Sequence, residues 1–168
     1  ALTAREAARQ LPALAGAIER GVARASWDGR LERVERPGGV TIWLDVVHNV
    51  DGVRALVEAI SLVGVPRERC HLVFGALADK AYAPMLRLLE PVAARRSYAP
   101  PGGREPARPA ELAQILPGEL HDDPVSAVFA AERALGPGGH VLVTGSIYLV
   151  GEVRAALFDL RRDPPMGL

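Results

Sequence analysis

Apolar positions along the chain follow two alternating periods. Val53, Leu56, Val57 and Ile60 stand at i, i+3, i+4 and i+7, which predicts an amphipathic helix over 51–62 with one apolar stripe. Tyr82, Met85, Leu86 and Leu89 mark a second helix, closed by Pro91. Between and around them lie short runs that are apolar or β-branched at nearly every position: 40–45, 71–75 and 140–144. Such runs suit strands buried on both faces. Residues 30–35 form a further strand-like run, separated from 40–45 by Pro37-Gly38-Gly39, and so short a connection requires an antiparallel hairpin. Residues 96–99 read as a short strand before a loop rich in Pro and Gly, 100–106.

Three more helices complete the pattern. Pro109 opens a short one to Leu116. Asp123-Pro124 pairs an N-cap with a proline at the first helical position, and Val125, Val128, Phe129 and Leu135 line one face before Gly136 stops the helix. Val150, Val153, Leu157 and Leu160 stripe the last helix. At the amino end, residues 1–25 carry Leu11, Leu14, Ile18 and Val22 at helical spacing, and residues 163–168 read as a frayed tail. Strand and helix in alternation predict a Rossmann-like three-layer α/β sandwich. Its sheet is mostly parallel, of about six strands, with one antiparallel strand from the hairpin.

Composition narrows the function classes. The 168 residues suit one domain with a core of its own, since a chain of this size buries about 70% of its unfolded surface. Lys+Arg and Asp+Glu balance at 20 each, which argues against nucleic-acid or membrane binding by bulk charge. Cys70 is the single cysteine, so no intrachain disulfide forms and a reduced, cytoplasmic setting is expected. No apolar run approaches a membrane span, and the first residues lack the apolar stretch of a signal peptide. The chain starts at Ala1, which suggests excision from something longer.

In a sheet of this kind, ligands bind beyond the carboxyl ends of the strands. Three polar groups fall there: Asp45-Val46-Val47-His48-Asn49, Gly75-Ala76-Leu77-Ala78-Asp79-Lys80, and Thr144-Gly145-Ser146. Asp45 can accept from ribose or amine donors, His48 can contact a phosphate or ribose, and Asn49 can bind a nucleotide or simply cap a helix. Lys80 can hold a carboxylate or phosphate as a point charge. Its physics alone favours a solvated lysine in the first turn of a helix capped by Asp79. Gly145 lets a ligand approach the backbone at a helix start, or merely makes the turn. Arg30 can clamp a phosphate or pair with Glu32 or Glu35.

Other signals are missing. The chain has no Gly-x-x-x-x-Gly-Lys-Ser/Thr loop, no Gly-x-Gly-x-x-Gly fingerprint and no Gly-x-Ser-x-Gly elbow. The missing dinucleotide fingerprint disfavours an oxidoreductase domain. His71, His121 and His140 lack metal-ligand spacing and read as surface or strand-start residues, so no metal site is expected on this chain.

Read in order, four segments resemble the carboxy-terminal domain of the folylpolyglutamate synthase/dihydrofolate synthase family, within the Mur ligase superfamily. They are Trp27-Asp28-Gly29-Arg30-Leu31-Glu32, Leu44 to Asn49, Val73 to Lys80, and Val143 to Glu152. The resemblance covers residues 27 to about 160 and favours the folate branch over the cell-wall ligases. It implies that 26–162 is a glutamate ligase domain and 1–25 a helical remnant of a preceding ATP-binding domain or a linker. The implied reaction activates a carboxylate of a pteroate or folate with ATP and Mg2+, and the glutamate amine then attacks the acyl phosphate. By the same resemblance, Arg30 would reach the ATP phosphates. Asp45 and His48 would contact the ribose and phosphate region of the nucleotide or help close the site, Asn49 would lie at the nucleotide, and Arg30 and His48 would be the catalytic residues of this domain. Lys80 and Ser146 would hold the carboxylate of glutamate.

The family usually has Asp-Gly-Ala-His-Asn-Pro where this chain has Asp45-Val46-Val47-His48-Asn49-Val50, and an acidic residue where Ala81 stands. These departures leave a second reading open, a non-catalytic domain of the same fold used for regulation or protein contact. The phosphate loop and metal ligands of the family lie in other domains, so this chain alone is expected to lack turnover. Expected partners are small molecules and the ATP-binding domain of the same parent, with no nucleic acid and no membrane.

Overall fold

The computed structural model describes residues 9–10, 14, 16–17 and 27–160. The expected amino-terminal helix and the expected tail over 163–168 lie outside the described residues, apart from helical positions 9–10 and 16–17.

The opening hairpin forms from β1 (Glu32–Glu35) and β2 (Thr41–Asp45), with Glu32 opposite Leu44 and Glu35 opposite Thr41. Arg36 N–H donates to the Val40 carbonyl at 2.9 Å, enclosing the Pro-Gly-Gly turn. β1 starts at Glu32 rather than at Arg30. Gly29 and Leu31 hold positive φ angles of 68° and 47°, which a strand cannot accommodate.

The chain then runs through α1 (Val50–Val63), β3 (Cys70–Phe74), α2 (Tyr82–Leu89), β4 (Arg95–Tyr98) and α3 (Pro109–Ile115). It continues with β5 (Glu119–Leu120), α4 (Pro124–Leu135), β6 (His140–Thr144) and α5 (Ile147–Leu157). The six strands stand in the order β1-β2-β6-β3-β4-β5, and only the β1–β2 pair is antiparallel. One expectation needs correction. Asp79 caps no helix: α2 begins at Tyr82, preceded by Ala81, and the Asp79 carboxylate lies 3.3 Å from Lys80 Nζ instead. Of the two readings for His71, surface or strand start, the second holds: it is buried at the start of β3.

Alternation along the strands feeds two apolar layers. Trp43, Leu72, Phe74 and Leu142 point to the face covered by Val53, Leu56 and Ile60 of α1, Met85, Leu86 and Leu89 of α2, and Leu112 of α3. Ile42, Leu44, Val73, Val141 and Val143 point to the other face, under Ala127, Val128 and Ala131 of α4 and Leu149, Val150 and Val153 of α5. Each of the larger aliphatic side chains contributes about 1.5–3 kcal/mol by leaving water. Both faces are covered, so the ligand-accessible part of the sheet is its edge. β2, β6 and β3 are adjacent and parallel, with Asp45 beside Thr144 and Thr144 beside Phe74, so their carboxyl ends share one rim. Among the described residues no helix is long and apolar enough to cross a membrane.

Candidate functional site

Asp45 closes β2 with its carboxylate buried. One oxygen accepts from Leu31 N–H at 2.8 Å, the other from Val47 N–H at 3.0 Å. Burial pushes this carboxyl above its ordinary value, against the pull of the two amides and of Arg30. Asp45 thereby ties the loop before β1 to the loop after β2. His48 stands exposed beyond it, and its Nδ1–H donates to the Val46 carbonyl at 3.0 Å. A carbonyl only accepts, so Nδ1 carries the hydrogen of this bond. Asn49 is the N-cap of α1, its side-chain oxygen accepting from Gly52 N–H at 2.8 Å.

On the neighbouring strands, close backbone contacts shape the rim. A Cβ on Gly75 would lie 2.1 Å from the Ala99 carbonyl oxygen, so only glycine fits there. Gly145 holds φ at 109°, and a Cβ on it would lie 2.6 Å from the Gly75 carbonyl oxygen. Its N–H donates to the Val47 carbonyl at 3.0 Å, joining the β6–α5 turn to the β2–α1 loop. Ser146 caps α5, with Oγ accepting from Tyr148 N–H at 3.2 Å.

These turns enclose an open cleft of about 210 Å³, lined by His48, Leu77, Lys80, Arg104, Gly145, Ser146, Ile147 and Tyr148. Three of the expected site residues, His48, Lys80 and Ser146, therefore meet. Asp45 and Asn49 lie on the same rim but do not line the cleft, and neither does Arg30. Arg30 is exposed on the loop before β1 and makes no ion pair among the described residues. The alternative partners are engaged elsewhere: Glu32 accepts from Arg154 Nε at 2.9 Å and from Gly29 N–H at 2.7 Å, while Glu35 pairs with Arg33. Arg154 also meets Asp28 at 2.8 Å, so α5 holds the loop that presents Arg30.

Val46, Val47 and Val50 do not line the cleft either. Val47 packs in the core under α1 and Val46 sits against Gly29, where a Cβ would lie 2.8 Å from its Cγ1. Arg104 was not anticipated among the site residues. It follows the weakest predicted strand, yet the rule that ligands gather beyond strand ends also covers the loop after β4. Among the described residues no group of three or more His, Cys, Asp or Glu could hold a metal ion, so no metal step is assigned to this chain. For a nucleotide, the fitting feature is the unpaired Arg30 guanidinium on its pinned loop.

Fold and rim together define an α/β binding domain whose cationic cleft opens at the sheet's carboxyl edge. The family model described as "Mur ligase, glutamate ligase domain" matches residues 29–147, and the chain belongs to that family. It is 32% identical over 145 residues to the dihydrofolate synthase/folylpolyglutamate synthase of Bacillus subtilis, a match covering 84% of this chain and 33% of the relative. The solved E. coli FolC in complex with DHPP and ADP superposes with a TM-score of 0.74 at 28% identity, over 86% of this chain and 34% of that one. A bifunctional folylpolyglutamate synthase/dihydrofolate synthase solved with Mn, AMPPNP and L-glutamate bound gives a TM-score of 0.71 at 30% identity, over 84% of this chain and 34% of that one. The chain thus spans about a third of the length of these relatives.

Proposed function

We propose that this chain is the glutamate-presenting domain of an ATP-dependent ligase that joins glutamate to a folate or dihydropteroate in the cytoplasm. In this reading residues 26–162 form the glutamate ligase unit and residues 1–25 end the ATP-binding domain. The observation that carries it is the meeting of His48, Lys80 and Ser146 in one cleft of a chain belonging to the glutamate ligase family. Relatives solved with nucleotide, Mn and L-glutamate support the substrate assignment.

Lys80 offers an ammonium and Ser146 a hydroxyl to the carboxylate of glutamate, holding its amine toward an acyl phosphate formed with ATP. Arg30, on a loop pinned by Asp45, Glu32 and Arg154, reaches the ATP phosphates. His48 offers Nε2 to the nucleotide side of the closing site, and Asn49 orders that loop by capping α1. ATP supplies the phosphoryl group. Mg2+ would be held mainly by groups outside this chain. The three valines that replace smaller or cyclic residues of the family pattern are absorbed by packing away from the cleft, which leaves the catalytic reading intact.

A glutamate ligation assay on the full-length protein containing this chain tests the reading. Lys80→Ala is expected to lower kcat/KM for glutamate roughly 10- to 100-fold, the effect of losing a charged hydrogen bond. His48→Ala is expected to lower turnover as well. Wild-type activity in both variants would refute the site assignment.

A further inference from the structure

The loop between β4 and α3 is fastened almost residue by residue. Ala99 N–H donates to the Phe74 carbonyl at 3.2 Å, and Gly102 N–H to Glu152 Oε1 of α5 at 2.7 Å. Gly103, at φ 91°, lies so close to the Tyr148 ring that a Cβ would stand 3.1 Å from it. On the other side of the cleft, Ala78 N–H donates to the Glu105 carbonyl at 3.0 Å and Ala107 N–H to the Ala76 carbonyl at 2.9 Å. Leu77 and Pro106 form an antiparallel bridge. A segment with this much proline and glycine would otherwise be free to wander. Here it is held between the α5 start and the β3–α2 loop.

Between these fastenings stands Arg104, exposed, lining the cleft, and without an ion pair or hydrogen bond from its side chain among the described residues. Among the described residues nothing pairs with its charge. The cleft therefore holds two cations, Lys80 and Arg104, and among the described residues only Lys80 has a carboxylate neighbour, the exposed Asp79. A planar guanidinium suits bidentate pairing with a carboxylate, whereas the ammonium acts as a point charge. Two unlike cations on a pre-set frame match a ligand with two carboxylates.

We propose that Arg104 is a specificity-determining residue, its guanidinium taking one carboxylate of the incoming dicarboxylic amino acid while Lys80 takes the other. This rests on the glutamate-presenting reading above and adds to it the means of choosing a diacid over a neutral amide. Glu152 and Tyr148 act as positioning residues, by fixing the loop that carries Arg104.

The test measures ligation by the full-length protein with glutamate and with glutamine, whose side chain lacks the second carboxylate. Arg104→Ala should raise the KM for glutamate roughly 10- to 100-fold and reduce the preference for glutamate over glutamine by a similar factor. The KM values for ATP and for the folate substrate should stay unchanged, as should thermal stability, because the side chain makes no hydrogen bond or ion pair among the described residues. Arg104→Lys should fall between. An unchanged glutamate preference in Arg104→Ala would overturn the proposal, and so would a shift in the ATP or folate KM instead. A wild-type protein that ligates another diacid with the same Arg104 dependence would keep the inference and refute glutamate as substrate. One that ligates no diacid would end both.

Discussion

His71 illustrates how one side chain sets a pH limit on the fold. It is buried in β3, with Nε2 2.9 Å from Ser97 Oγ and Nδ1 buried without a partner among the described residues. Burial, the largest influence, lowers its pKa to about 4. In the unfolded chain an imidazole titrates near 6.5, so between those values the unfolded state binds more protons. Its contribution to stability is thus complete above pH 6.5 and is lost as the pH falls toward 4. The loss should reach roughly 2–3 kcal/mol by pH 4.5. Urea titrations at pH 7, 5.5 and 4.5 should show the midpoint dropping across this window, and His71→Gln should remove most of that segment of the slope. His140, lowered in the same direction by burial, adds to the trend. A stability that stays flat from pH 7 to 4.5 would show that His71 charges in the fold at no cost.

At the scale of elements, the β6–α5 turn carries the rim, and two glycines separate geometry from propensity. Gly145 holds φ at 109° with a neighbouring carbonyl oxygen 2.6 Å from where a Cβ would go, so Gly145→Ala should lower stability by at least about 2 kcal/mol. Gly151, inside α5, has nothing within 4 Å of such a Cβ. Gly151→Ala should therefore be neutral or gain up to about 1 kcal/mol. Denaturant midpoints of the two variants check both. The same distinction explains what was legible in the sequence. Helical periodicity located α1, α2, α4 and α5 because their stripes are long, while the strands were read from short apolar runs, of which 140–144 matches β6 to the residue. The sixth strand, β5, has two exposed residues at a sheet edge, too few to show a period. The β1 boundary was misplaced because Leu31 adopts φ 47°, a turn conformation rare for leucine that its residue type does not signal. His48, Lys80 and Ser146 were legible as candidates because strand ends point to a common rim. Arg104 was not, because its loop is ordered by contacts with Glu152 and Tyr148, far away in sequence.

For the whole molecule, the two apolar layers are complete while the chemical site is open. Both faces of the sheet are covered from within the chain, so the described residues contain the core that a cooperative fold needs. The cleft, in contrast, lies at the sheet's edge, and in the proposed reading the chain offers a nucleotide Arg30 on a pinned loop, with no phosphate loop in its sequence. Much of an amide ligase's advantage comes from holding the acyl phosphate and amine together, where effective molarities can reach about 10⁵–10⁸ M. In the proposed reading this chain presents only the amine and forgoes that factor. The isolated chain should therefore unfold in a single transition, with fluorescence and circular dichroism coinciding, and yet release ADP from ATP and glutamate no faster than a protein-free control. The full-length protein containing the same chain should release ADP only when the folate substrate and glutamate are both present. Glutamate-dependent ADP release by the isolated chain would mean that these residues bind and orient ATP by themselves, and the division of labour between this domain and the rest of the ligase would have to be redrawn around Arg30 and the cleft.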